Sequence, residues 1–140
     1  MPAVSTELFR WDAKYSVNIG ILDTQHKNLV RMVNELHEAM GVGSSREKLG
    51  QILAGLVKYT QAHFATEERL MQLHGYPDFL THKSEHEHLT RTVMDFERRF
   101  LSNEVGLSVE VMEFLRDWLV KHILGSDKKY SPFLNAKGVR

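Results

Sequence analysis

Apolar residues recur along this chain at steps of three and four, and the steps group into four runs. In the first, Leu22, His26, Leu29, Val33, Leu36 and Met40 share one face of an α-helix. The second comprises Leu49, Leu53, Leu56, Thr60, His63, Glu67, Leu70 and His74, and the third His82, His86, Leu89, Val93, Phe96 and Phe100. The fourth is shorter: Val111, Leu115, Trp118 and His122. Punctuation between the runs sets the helix limits. The first helix is expected from Ile19 or Asp23 to Met40, stopped by Gly41-Val42-Gly43, where glycine can take a left-handed cap. Ser44 with Glu47 reads as a capping box for the second helix, which should last until Gly75-Tyr76-Pro77. Asp78 can cap the third, expected to reach Ser102, and Ser108 the fourth, expected to end near Gly125. Connections this short pack successive helices antiparallel. The predicted architecture is all-α, an up-down-up-down four-helix bundle over residues 19–140. Residues 1–18 lack a sustained stripe but carry Phe9, Trp11, Tyr15 and Val17, and are expected to form an extended N-terminal arm laid over the bundle.

A chain of 140 residues suits one domain with a single core. Lys and Arg total 18 and Asp and Glu total 18, so no strong field steers the protein toward nucleic acid or an anionic membrane. No apolar run approaches the roughly 18 residues of a membrane span, and Glu7, Arg10 and Asp12 interrupt any signal-peptide block, so a cytoplasmic location without membrane insertion is expected. Cysteine is absent, which removes disulfides, thiolate ligands and a cysteine nucleophile. Any metal must be held by nitrogen and oxygen.

The stripes themselves carry such donors. His26, His63, Glu67, His82, His86 and His122 occupy positions where the pattern demands core residues, and Asp127 follows shortly after. His63 with Glu67, and His82 with His86, are four apart and so lie one above the other on a helix. His122 and Asp127 are five apart, which a regular helix would splay; Gly125-Ser126 can end the helix and let Asp127 turn back. One histidine on an apolar stripe is ordinarily a satisfied core residue. Five of them with a buried carboxylate, and no Lys or Arg on the stripes nearby, leave too many polar groups to satisfy without a metal. His37 and His88 fall beside or away from the stripes, and His74 falls at a helix end; these three are expected near the surface. Glu85 and His88 form a Glu-x-x-His off the stripe, which is read as coincidence.

The order and spacing of these residues resemble the hemerythrin family over essentially the whole chain. The matching strings are Asp23-Thr24-Gln25-His26-Lys27, His63-Phe64-Ala65-Thr66-Glu67-Glu68, His82 through His86, and Trp118-Leu119-Val120-Lys121-His122 with Asp127 and Tyr130 after it. The resemblance implies two iron ions per chain, bridged by Glu67, Asp127 and an oxo or hydroxo group. His82, His86 and His122 would serve one iron, and His26 and His63 the other. If both irons are octahedral, a single coordination position is left open, on the iron with two histidines. It further implies dioxygen as the ligand, an apolar oxygen pocket of Leu29, Phe64, Trp118, Leu119 and Leu124, and support of Asp127 by a hydrogen bond from Tyr130.

The function expected from this is reversible dioxygen binding by a carrier, store or delivery protein, with an oxygen-consuming enzyme as a recipient. A sensor acting through a separate partner is the second class. A di-iron peroxidase or nitric-oxide-handling enzyme is the third, for which the sequence offers no positioned acid or base beyond the donors themselves.

Overall fold

The first stripe forms α1, Gly20–Gly41, burying Leu22, His26, Leu29, Val33 and Leu36. A computed structural model describes residues 8–104, 106 and 109–140. Beyond α1, Gly43 takes φ +73° and the Ser44 amide donates to the Ala39 carbonyl at 3.0 Å, closing the helix through a left-handed residue. Ser44 therefore belongs to the end of α1 rather than to the next start. The N-cap of α2, Arg46–Leu73, is instead Ser45, whose hydroxyl accepts from the Lys48 amide at 3.2 Å. Ser45→Ala is expected to cost about 1 kcal/mol in a denaturant titration and Ser44→Ala almost nothing.

The same closure ends α2, with Gly75 at φ +70° and the Tyr76 amide on the Met71 carbonyl at 2.9 Å. It also ends α3, Phe79–Leu101, where Asn103 stands at φ +63° and the Glu104 amide reaches the Arg99 carbonyl at 2.8 Å. Asp78 precedes α3 as expected, but its side chain makes no capping hydrogen bond. Ser108, the expected cap of the next helix, lies outside the described residues.

The main departure comes after α4, Val109–Lys121. The chain does not leave the helix at Gly125. It widens into a π turn, His122–Asp127, and continues as α5, Lys128–Ala136. Gly125 does not adopt a positive φ, so it does not act as a stop; that role falls to Gly138 at φ +86°. Asn135 and Ala136 are helical, and α5 buries Tyr130, Ser131 and Leu134.

The helices assemble as a four-helix bundle in which α1 packs on α2 and α4, and α2 on α3. No strand occurs among the described residues. Two apolar clusters result. The larger includes Leu29, Val33, Leu36, Leu53, Leu56, Phe64, Val93, Phe100, Met112, Leu115 and Leu119; the smaller joins Val17, Ile19, Leu22, Met71, Tyr76, Tyr130 and Leu134. Residues 8–18 run over the bundle with one short 3-10 turn, Ala13–Tyr15, and bury Phe9, Tyr15 and Val17. Asn34 anchors this stretch by accepting from the Leu8 and Phe9 amides and donating to the Phe9 carbonyl. Asp23 accepts from the Ser16 hydroxyl and the Val17 amide. From α5, Lys128, Ser131 and Asn135 donate to the carbonyls of Ser16, Val17 and Asn18 in turn. The first seven residues of the expected arm lie outside the described residues. No described helix is long and apolar enough to cross a membrane.

Candidate metal centre

All seven predicted donor residues meet in the bundle interior, each at most 4 % exposed. His26 comes from α1, His63 and Glu67 from α2, His82 and His86 from α3, and His122 and Asp127 from the two ends of the π turn. The π turn resolves the awkward spacing of the last two. Its hydrogen bonds close from i to i+5, so residues five apart come into near alignment, and His122 Nε2 lies 3.0 Å from Asp127 Oδ1.

The donor atoms fall into two groups that share both carboxylates. Glu67, His82, His86, His122 and Asp127 can converge on one point, and His26, His63, Glu67 and Asp127 on another. Asp127 divides its oxygens between the groups: Oδ1 lies 3.1 Å from His82 Nε2, and Oδ2 lies 3.0 Å from His26 Nε2. Glu67 Oε1 lies 3.3 Å from His63 Nε2 and 3.1 Å from His86 Nε2, while its Oε2 lies 3.5 Å from His26 Nε2. Close approach does not make these groups satisfied. Nε2 of His26, His63 and His82, Glu67 Oε1 and both Asp127 oxygens are buried without a hydrogen-bond partner. Orphaned polar atoms in this density are costly unless something binds them, and a pair of cations fits the donor set.

Electrostatics within the metal-free cluster follows from burial opposed by close opposite charges. Burial disfavours the His26 imidazolium, but Asp127 and Glu67 outweigh it and raise the ring to about 9. His122 is raised to about 10 against the same penalty, by Asp127 and Glu85. Burial pushes the Glu67 carboxyl up, yet His63, His26 and His86 hold it well below its ordinary value. Asp127 is likewise lowered, by His122 and His26, against burial and the Glu67 charge. Metal takes the neutral imidazole. At pH 7 loading should therefore displace a proton from each of His26 and His122, and affinity should rise with pH until about 9 to 10. Proton release in weakly buffered solution during anaerobic ferrous titration measures this; release of fewer than about two protons per chain contradicts it.

Around the donors the structure adds partners that sequence reasoning did not assign. His63 Nδ1 lies 2.6 Å from Gln25 Oε1, His86 Nδ1 3.0 Å from Glu68 Oε2, and His122 Nδ1 2.9 Å from Glu85 Oε1. With Nε2 turned toward the centre, Nδ1 carries the proton and donates outward, which fixes each ring's tautomer and plane. Glu85 also accepts from Ser126, and the His122 bond holds its carboxyl low, at about 2. Glu85 and His88 do not act as a Glu-x-x-His pair: Glu85 reaches His122 across the helix interface, while His88 is exposed. His37 and His74 are half-buried and belong to neither donor group. Tyr130, expected to support Asp127, instead donates to Glu67 Oε2. Burial and the Glu67 charge raise its phenol well above the ordinary value, so it remains a donor.

Four of the five residues expected around an oxygen pocket share the larger core cluster: Leu29, Phe64, Trp118 and Leu119. Phe64 stacks on His86, with ring centroids 3.8 Å apart and planes 6° from parallel. Leu124 does not join them. It is 39 % exposed, and Ile123, fully buried, faces inward in that part of the π turn.

Known proteins resemble this chain over most of its length. The family model described as the hemerythrin HHE cation binding domain matches residues 17–134. Bacteriohemerythrin of Methylococcus capsulatus is 40% identical over 130 residues, covering 92% of this chain and 98% of its own. Myohemerythrin of Theromyzon tessulatum is 31% identical, covering 89% of this chain and 92% of its own. A crystal structure of wild-type hemerythrin superposes with a TM-score of 0.86 at 40% identity, over 91% of this chain and 98% of that one. With the family model spanning all four helices and all seven converging donors, the chain belongs to the hemerythrin family.

Proposed function

We propose that the protein holds two iron ions and binds dioxygen reversibly, as a carrier, store or delivery protein. The observation that carries this reading is the division of the donors into a three-histidine and a two-histidine group sharing Glu67 and Asp127. His82, His86 and His122 would hold one iron, His26 and His63 the other, with both carboxylates and an oxo or hydroxo group bridging them. A bound iron pair would supply two electrons to dioxygen and recover them on release.

The chain's own residues provide the remaining requirements. Leu29, Phe64, Trp118 and Leu119 wall the interior with apolar groups and exclude the water and protons that promote irreversible oxidation. Tyr130 orients Glu67 and satisfies one of its oxygens. Gln25, Glu68 and Glu85 orient the rings from outside, so the donors are held by neighbours rather than by metal alone. An oxygen-consuming enzyme is the natural recipient in this reading.

The test is metal content together with the visible spectrum of protein purified in air, then reduced anaerobically and re-exposed to oxygen. About two irons per chain, with charge-transfer bands that vanish on deoxygenation and return with oxygen, are expected. Iron that oxidises once and never recovers would replace the carrier reading by a redox sensor or an enzyme.

A further inference from the structure

Hydrogen bonding to the outer ring nitrogens is uneven between the two donor groups. In the three-histidine group, His86 and His122 each donate from Nδ1 to a carboxylate: Glu68 at 3.0 Å and Glu85 at 2.9 Å. Glu85 is itself fixed by the Ser126 hydroxyl from within the π turn. In the two-histidine group, His63 donates to the neutral amide oxygen of Gln25, and His26 Nδ1 is buried with no hydrogen-bond partner.

An imidazole whose outer N–H is drawn toward a carboxylate is a more basic, more electron-rich ligand than one bonded to an amide or to nothing. A richer ligand set stabilises the higher metal charge. We propose that Glu68 and Glu85 are positioning residues that make the three-histidine position favour Fe(III), and that Gln25 and the bare Nδ1 of His26 leave the two-histidine position favouring Fe(II). This rests on the di-iron reading above. When a ferrous pair loses a single electron to ferricyanide, which becomes ferrocyanide, the resulting Fe(III) sits among His82, His86 and His122. The remaining Fe(II) sits with His26 and His63. The asymmetry is thus set by residues that touch no metal.

The experiment is a spectroelectrochemical titration of the iron-loaded protein, following both one-electron steps, with iron content and far-UV circular dichroism measured on the same samples. Glu68→Gln and Glu85→Gln keep an acceptor but remove the charge. Each should shift the first oxidation step to higher potential by about tenfold in the Fe(III)/Fe(II) ratio, or about 59 mV, while moving the second step less. Gln25→Glu should lower the second step. Glu87→Gln, an exposed carboxylate neighbouring His86, should move neither. Potentials that stay at the wild-type values, or that fall in Glu68→Gln, overturn the proposal. So does iron lost 10- to 100-fold more readily with unchanged potentials, since that is the mark of a merely structural role. Should Glu85→Gln lose its fold, Glu68→Gln and Gln25→Glu still decide the matter in opposite directions. Wild-type protein that loads iron but never rebinds oxygen, with variants that show these shifts, sinks the carrier reading and leaves this inference standing. Reversible oxygen binding with unmoved potentials does the reverse.

Discussion

Glu67→Ala should empty the centre. One side chain presents oxygens to His86 in one donor group and to His26 and His63 in the other, so its removal would take a ligand from each metal position at once. It also leaves the Tyr130 hydroxyl, in a fully buried residue, without its acceptor, at a cost of about 1–3 kcal/mol. Iron content after anaerobic loading and desalting should fall from about two per chain to well under one. His88→Ala, on the exposed side of α3, should retain the wild-type content. A Glu67→Ala protein that holds its iron as firmly as wild type would mean that the bridge lies elsewhere and that the two-group geometry is not a metal site.

Removing the metal should destabilise the fold. A ligand present at 100 times its dissociation constant stabilises by about 2.7 kcal/mol, so two bound metals would contribute about 5 kcal/mol. For a domain of this size that corresponds to a loss of about 15 °C in melting temperature. The gap should also depend on pH. In the metal-free protein His26 and His122 are raised to about 9 and about 10 from 6.5, so the stability they contribute is complete below about 6.5 and lost as pH rises through 9 to 10. Glu67 and Asp127 are lowered, so their contribution is present above about 4 and lost as pH falls. The apo-protein should therefore be most stable from about pH 5 to 7 and weaken above that range. Differential scanning calorimetry of apo and holo samples across pH measures both effects, and coincident melting curves would argue that the donors are not coupled to a metal.

The hydrophobic period made the bundle legible because it is a property of every turn. His26, His63, Glu67, His82, His86 and His122 stood out as polar residues on stripes that were otherwise apolar, and the structure brings them together. What the period could not reveal is where a helix changes its pitch. Gly125-Ser126 looks like an ending in sequence, yet the chain passes through it as a π turn, and three local consequences follow. Asp127 comes into line with His122, Leu124 turns outward while Ile123 turns in, and Tyr130 arrives over Glu67 rather than Asp127. The partners Gln25, Glu68 and Glu85 were hidden for another reason. They lie at the margins of their stripes as ordinary polar residues, and only the packing of α1 on α2, of α2 on α3, and of α3 against the π turn brings them to the ring nitrogens of His63, His86 and His122. Ser44 and Ser45 could not be separated until the left-handed Gly43 assigned the first of them to the preceding helix.

Donors drawn from α1, α2, α3 and the π turn, all at most 4 % exposed, would also govern how fast a metal held by them could come and go. No single rotamer change frees an ion held from every side. Escape would then call for an opening of the bundle, and the lifetime of a bound metal would be a clock for that rare event rather than a measure of coordinate bond strength. Exchange of bound iron for a labelled isotope would then tick at the rate of that opening.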